Sequence, residues 1–125
     1  MFMNTEKIYE NIIQEAEELS DQLIGIRRSL HSYPELGWTE MRTSSIIAGY
    51  LKSFGCDEVL VGEDVCLSEA RMGLPSDEIL EKHYAEAAAR EGSNPEYLPF
   101  TKGGHTGVIG ILHCGDGPTL SLIHI

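Results

Sequence analysis

With 125 residues the chain is one domain or part of one, and its 42% hydrophobic and 23% charged residues argue against disorder. A formal net charge of −11 repels phosphate backbones and supplies no polybasic patch, so neither nucleic acid nor an anionic membrane is an expected partner. The three cysteines, Cys56, Cys66 and Cys114, are odd in number and lack CxxC spacing, which argues against a disulfide scaffold and fits a reducing compartment.

Met1-Phe2-Met3-Asn4-Thr5-Glu6 has neither the basic nor the apolar region of a signal peptide. No apolar run approaches the roughly 20 residues of a membrane span. The expected location is the cytoplasm. In chain order, Ile8, Ile12, Ala16, Leu19, Leu23, Ile26 and Leu30 recur at helical steps and predict one helix. Its other face is acidic early and basic late, which suits the helix dipole, and Pro34 ends it. A coiled coil would need more heptads.

A second helix is expected from about Thr39 to Phe54, burying Ile46, Ile47, Tyr50, Leu51 and Phe54, with Gly55 just past its end. Glu58–Val61 reads as a short strand closed by Gly62. The stretch 63–74 has no clear period. Ser76 can cap a helix that starts with Asp77 and Glu78 and runs through Ala87 to Gly92. Asn94-Pro95 breaks it, one short turn can follow to Leu98, and Lys102-Gly103-Gly104 reads as a flexible connector. Thr106–Leu112 reads as a strand. Cys114-Gly115-Asp116-Gly117-Pro118 reads as a turn, and Thr119 onward as a second strand of the same hairpin. The layout is mixed α/β, with helices centred near residues 18, 47 and 84 and strands near 60, 109 and 121.

His31, His83, His105, His113 and His124 form no HxxxH or HxH pair, so surface or helix-end positions are expected for them. His113 and Cys114 are adjacent, and in a strand they would face opposite sides. Gly103-Gly104-His105-Thr106-Gly107 lacks phosphate-loop spacing and leads into a strand. The cluster His31-Ser32-Tyr33-Pro34-Glu35-Leu36-Gly37-Trp38 mixes an acid-base residue, a carboxylate and an indole. Its favoured reading is a turn between helices, with Trp38 plugging the core. These residue types and spacings define no catalytic constellation.

The run Arg27-Arg28-Ser29-Leu30-His31-Ser32-Tyr33-Pro34-Glu35-Leu36-Gly37-Trp38-Thr39-Glu40 resembles the RRxLHxxPELxxxE signature of the M20 metallopeptidase and amidohydrolase family. Gly104-His105-Thr106-Gly107-Val108-Ile109-Gly110 and Gly117-Pro118-Thr119-Leu120 are similar to its GGxTGVVG and GPxxxLR strands. A helical insertion from Cys66 to Lys102, containing Arg71-Met72-Gly73-Leu74-Pro75, resembles the p-aminobenzoyl-glutamate hydrolase branch of that family, in its A-type chain. The likeness spans residues 20 to 122. His105 departs from it, standing where relatives usually carry an aromatic such as Phe.

The resemblance implies a fold class: α/β, the N-terminal part of a zinc-exopeptidase-like catalytic domain with a mixed sheet flanked by helices, incomplete and without the lid or dimerisation domain. It implies a longer enzyme that cleaves the amide of N-acyl or aminobenzoyl amino acids with a divalent metal, zinc or manganese. That parent is expected to be a homodimer or a heteromer with a related subunit. The family's metal-binding and catalytic motifs, an Asp-rich DxDAL segment, a Cys-Gly-His segment and a Glu-Glu pair, have no counterpart here. No catalytic, cofactor-binding or metal residue is therefore assigned, and the piece by itself is expected to be inactive and metal-free. The alternatives are another M20 activity such as a dipeptidase, or a non-catalytic α/β module binding through an open sheet edge. Leu120–Ile125 also translates the transposase mosaic end CTGTCTCTTATACACATC, so 123–125 are expected to be adapter-derived.

Overall fold

A computed structural model describes residues 5–122. His124 and the segment 123–125 assigned to adapter sequence lie outside them. The residues up to Pro34 and those from Glu35 onward form two separate units. In the first, α1 (Thr5–Glu18) and α2 (Ser20–Ser32) replace the single expected helix. The helical pattern continues across the junction, because Leu19 N–H donates to the Glu15 carbonyl at 3.1 Å and Leu23 N–H to the Leu19 carbonyl at 3.0 Å. The irregularity is local: Leu19 sits at φ −80°, ψ −10°, flatter than helical ψ. Neither helix has a buried residue. Ser32 Oγ donates to the Arg28 carbonyl at 2.9 Å, satisfying an end-of-helix acceptor. Tyr33 then leaves the helix at φ −131°, as a residue before proline must.

The second unit holds α3 (Met41–Ser53), β1 (Glu58–Val61), α4 (Asp77–Ala89) and β2 (Val108–Ile111), with short 3-10 segments at Gly62–Asp64, Ser68–Ala70 and Leu98–Gly104. β1 and β2 pair antiparallel, with Glu58 opposite Ile111 and Val61 opposite Val108. Asp57 N–H to the Ile111 carbonyl (2.8 Å) and His113 N–H to Asp57 Oδ2 (2.7 Å) prolong that ladder. β2 therefore finds its partner far back in the chain. The expected hairpin from Thr119 onward is not formed: among the described residues nothing after Ile111 is a strand, and 119–122 are exposed. His113 and Cys114, likewise, lie beyond the strand.

Two clusters make the core. Met41, Leu80, Ala87 and Leu98 form one, with Tyr84 against them. Ala48, Val61 and Tyr97 form the other, with Val59 and Val108. Burying a side chain such as Leu80 stabilises by about 1.5–3 kcal/mol. The buried face of α3 is not the expected one. It is Met41, Arg42, Ser44, Ser45 and Ala48, while Ile47 is 42% exposed and Phe54 63%. Short side chains let other backbone come close: Ser44 Oγ donates to the Thr106 carbonyl at 2.7 Å, and Ser45 Oγ accepts the Asn94 N–H at 3.1 Å. A count of large apolar residues misses a face closed by serines.

α4 begins where expected, but Ser76, though extended at ψ 155°, makes no side-chain capping bond. Lys102-Gly103-Gly104, expected to be a flexible connector, forms a defined turn, with Gly103 at φ 69° and Gly104 at φ 78°. Among the described residues no helix is long and apolar enough to cross a membrane.

Candidate functional site

The signature loop does two jobs. Glu35 caps α3: Oε1 accepts the Arg42 N–H at 2.9 Å, and Oε2 accepts the Thr43 N–H at 2.8 Å and the Thr43 hydroxyl at 2.7 Å. A carboxylate at this end satisfies orphan donors and meets the positive pole of the helix. Thr39 Oγ1 accepts the Leu36 N–H at 3.0 Å and donates to the Leu36 carbonyl at 2.7 Å, fixing the loop. Arg42, 1% exposed, sends Nε to the Glu91 carbonyl at 3.0 Å. These residues hold the fold together.

The second job is at Trp38, which does not plug the core. It is half-buried at φ 66°, unusual for a bulky residue. Its indole N–H donates to the Met72 carbonyl at 2.9 Å, and the Arg71 guanidinium lies 5.9 Å from its ring centroid. Arg71 is anchored through Nε to the Ser68 carbonyl (3.3 Å) and through Nη1 to the Gly103 carbonyl (2.6 Å). Ser68 Oγ lies 2.9 Å from His105 Nε2, and His105 Nδ1 lies 2.8 Å from the Lys102 carbonyl. A carbonyl only accepts, so Nδ1 carries the hydrogen and Nε2 receives the serine hydroxyl. His105 is thus buried, at 8% exposure, and not on the surface. Gly104 is required here: a Cβ on it would come within 3.0 Å of both the Trp38 carbonyl and Leu74.

The Ser68–His105 pair has the sense of a nucleophile and its base, but a neutral carbonyl holds the ring where a triad uses a carboxylate. Glu63 Oε1, in an exposed side chain, is 3.9 Å from Nε2. The pair therefore positions Arg71 through the Ser68 carbonyl. Of the other histidines, His31 is exposed at the end of α2, His83 faces Glu86 at 3.6 Å, and His113 faces Glu58 at 3.5 Å. Cys56, Cys66 and Cys114 are free thiols. Among the described residues no three of His, Cys, Asp or Glu converge to hold a metal ion, so they do not fit a zinc or manganese site. A cavity of about 380 Å³ lies between α4 and the Lys102–Gly103 turn, where Lys102 Nζ sits 5.0 Å from the Tyr84 ring centroid. Residue spacing gave no sign of Arg71 or Ser68. The one available signal was the likeness of Arg71-Met72-Gly73-Leu74-Pro75 to the aminobenzoyl-glutamate hydrolase insertion.

This arrangement of helices around a small antiparallel sheet matches part of a solved structure. It superimposes on an aminobenzoyl-glutamate utilization protein from Klebsiella pneumoniae with a TM-score of 0.72 and 34% identity, covering 76% of this chain and 23% of that one. In sequence the chain is homologous to indole-3-acetyl-aspartic acid hydrolase of Enterobacter agglomerans, 39% identical over 105 residues, and to the A-type chain of p-aminobenzoyl-glutamate hydrolase of Escherichia coli K12, 33% identical over 113. Those matches cover 83% and 90% of this chain but only 24% and 26% of the relatives, so it spans about a quarter of their length. No family model matches the chain.

Proposed function

We propose that this chain is part of a metal-dependent amide hydrolase of the M20 type, acting on a small substrate in which an aromatic acyl group is joined to an acidic amino acid. The observation that carries the reading is the homology to p-aminobenzoyl-glutamate hydrolase over 90% of the chain. The names of the two relatives support this substrate class. One carries an indole ring and aspartate, the other an aminobenzoyl ring and glutamate, and both are hydrolases. The shared chemistry is an amide with a ring on one side and a dicarboxylic amino acid on the other.

Zinc or manganese is the cofactor we propose, because a divalent ion polarises an amide carbonyl and lowers the pKa of water. The described residues supply no ligand set for it, and we place that chemistry on residues outside them. We further propose that the longer protein is a homodimer or pairs with a related subunit, and that it works in the cytoplasm.

The test is to express the whole reading frame that contains this chain and to assay p-aminobenzoyl-glutamate, indole-3-acetyl-aspartate, N-acyl amino acids and a dipeptide, with added zinc or manganese. Hydrolysis of an aromatic acyl amino acid, lost on chelation, is the expected result. Turnover of the dipeptide alone would move the protein to a peptidase, and no turnover of any substrate would defeat the reading.

A further inference from the structure

We propose that Arg71 and Trp38 form a recognition site for a carboxylate borne by an aromatic acyl amino acid. The inference rests on the substrate class proposed above and names the residues that receive it.

Arg71 is held in place and left without a counter-ion. Its Nε and Nη1 are bound to the Ser68 and Gly103 carbonyls. Among the described residues no carboxylate pairs with it, although the chain has 20 acidic side chains. A guanidinium is always charged and presents its donors in a planar fork that matches a carboxylate. Here part of the fork is spent on anchoring, and Nη2 makes no hydrogen bond among the described residues. The anchors are themselves fixed, because the Ser68–His105–Lys102 bonds tie both ends of the supporting loops together.

Trp38 supplies the aromatic wall. Its positive φ of 66° is strained, and such strain persists only where the surroundings enforce it. The Met72 carbonyl pins the indole N–H, and Gly104 lets the Trp38 carbonyl approach closely. Close to this pair in sequence, the apolar side chains of Leu36 and Met72 are 76% and 86% exposed. A cation with no acid partner, an indole and an apolar rim together suit a ring joined to a carboxylate. The carboxylate would meet Arg71, and the aryl group would lie against Trp38 and the rim.

The chain has one tryptophan, so Trp38 emission reports binding directly. The 125-residue chain is titrated with N-benzoylglutamate and, separately, with its uncharged dimethyl ester. A saturable emission change is expected, with the acid binding at least about tenfold more tightly than the ester, the size expected for a hydrogen bond to a charged group. Arg71→Met should lose the same factor, and Arg71→Lys should recover part of it. The absence of a saturable change, equal binding of acid and ester, or unchanged binding by an Arg71→Met chain with an unaltered unfolding midpoint would overturn the proposal. The ester comparison needs no variant, so a folding defect introduced by a substitution cannot hide the answer. Hydrolysis by the whole reading frame with an unchanged KM in Arg71→Met would sink this site and leave the hydrolase reading intact. Binding here with no hydrolysis there would sink only the hydrolase reading.

Discussion

The carboxylate of Glu35 closes the N-terminus of α3 by accepting the backbone N–H of Arg42 at 2.9 Å, seven positions further along the chain. Its second oxygen accepts the N–H and hydroxyl of Thr43. Glu35→Ala removes all three bonds at once. A loss of about 1–2 kcal/mol is expected, the range of a strong helix cap. Urea unfolding measures it as a lower midpoint with an unchanged slope. An unaltered midpoint would show that the cap contributes nothing.

Gly62 ends β1 at φ 76°, and a Cβ on it would collide with the Phe100 carbonyl. Gly62→Ala therefore combines backbone strain with a clash against main chain. It should cost more than about 1 kcal/mol, beyond the entropy it recovers in the unfolded chain. Gly37→Ala is the control, since a Cβ there meets nothing within 4 Å. It should stay within about 0.5 kcal/mol of the parent chain. Equal thermal midpoints for the two variants would contradict the assignment.

Burial, and after it the charge of Glu96 and a hydrogen bond to it, raise the Tyr97 hydroxyl above its ordinary value of 10.0. The folded chain then holds this proton to higher pH than the unfolded chain does. Between 10.0 and the raised folded value the folded state binds more protons, so stability falls as pH rises. The contribution is fully present below 10.0 and is lost as pH climbs through the folded value. Unfolding midpoints across this range should fall less steeply for Tyr97→Phe than for the parent chain. Parallel curves would rule out the contribution.

The absence of converging ligands among the described residues makes a prediction about the isolated chain. After dialysis, elemental analysis should find zinc and manganese at well below one ion per chain. One tightly held ion per chain would require histidines, cysteines and carboxylates that stand apart in this fold to converge on it.

The fold was legible where local chemistry decides it. Gly55 follows the end of α3 at φ 89° and Gly62 ends β1, whereas α4 stops at Ala89, short of the expected Gly92. Glu58–Val61 is a strand as expected, and β2 lies inside the expected strand. Two outcomes depended on distant partners. β2 pairs with β1 and not with residues 119–122, a choice set by long-range packing of Val59, Val61 and Val108 that turn residues do not encode. The buried face of α3 is built from serines and alanine, whose role appears only when Thr106 and Asn94 arrive against it. The candidate site was hidden for the same reason. Trp38, Ser68, Arg71 and His105 are scattered in sequence, and apart from the Ser68–His105 side-chain bond they are held through carbonyl groups, which carry no residue-type signal.

The most direct test of the account is release of p-aminobenzoate from p-aminobenzoyl-glutamate by the protein expressed from the whole reading frame. Release with zinc or manganese present, and its loss on chelation, is the expected result. A folded, metal-loaded protein that releases no p-aminobenzoate and cleaves no other aromatic acyl amino acid would contradict it.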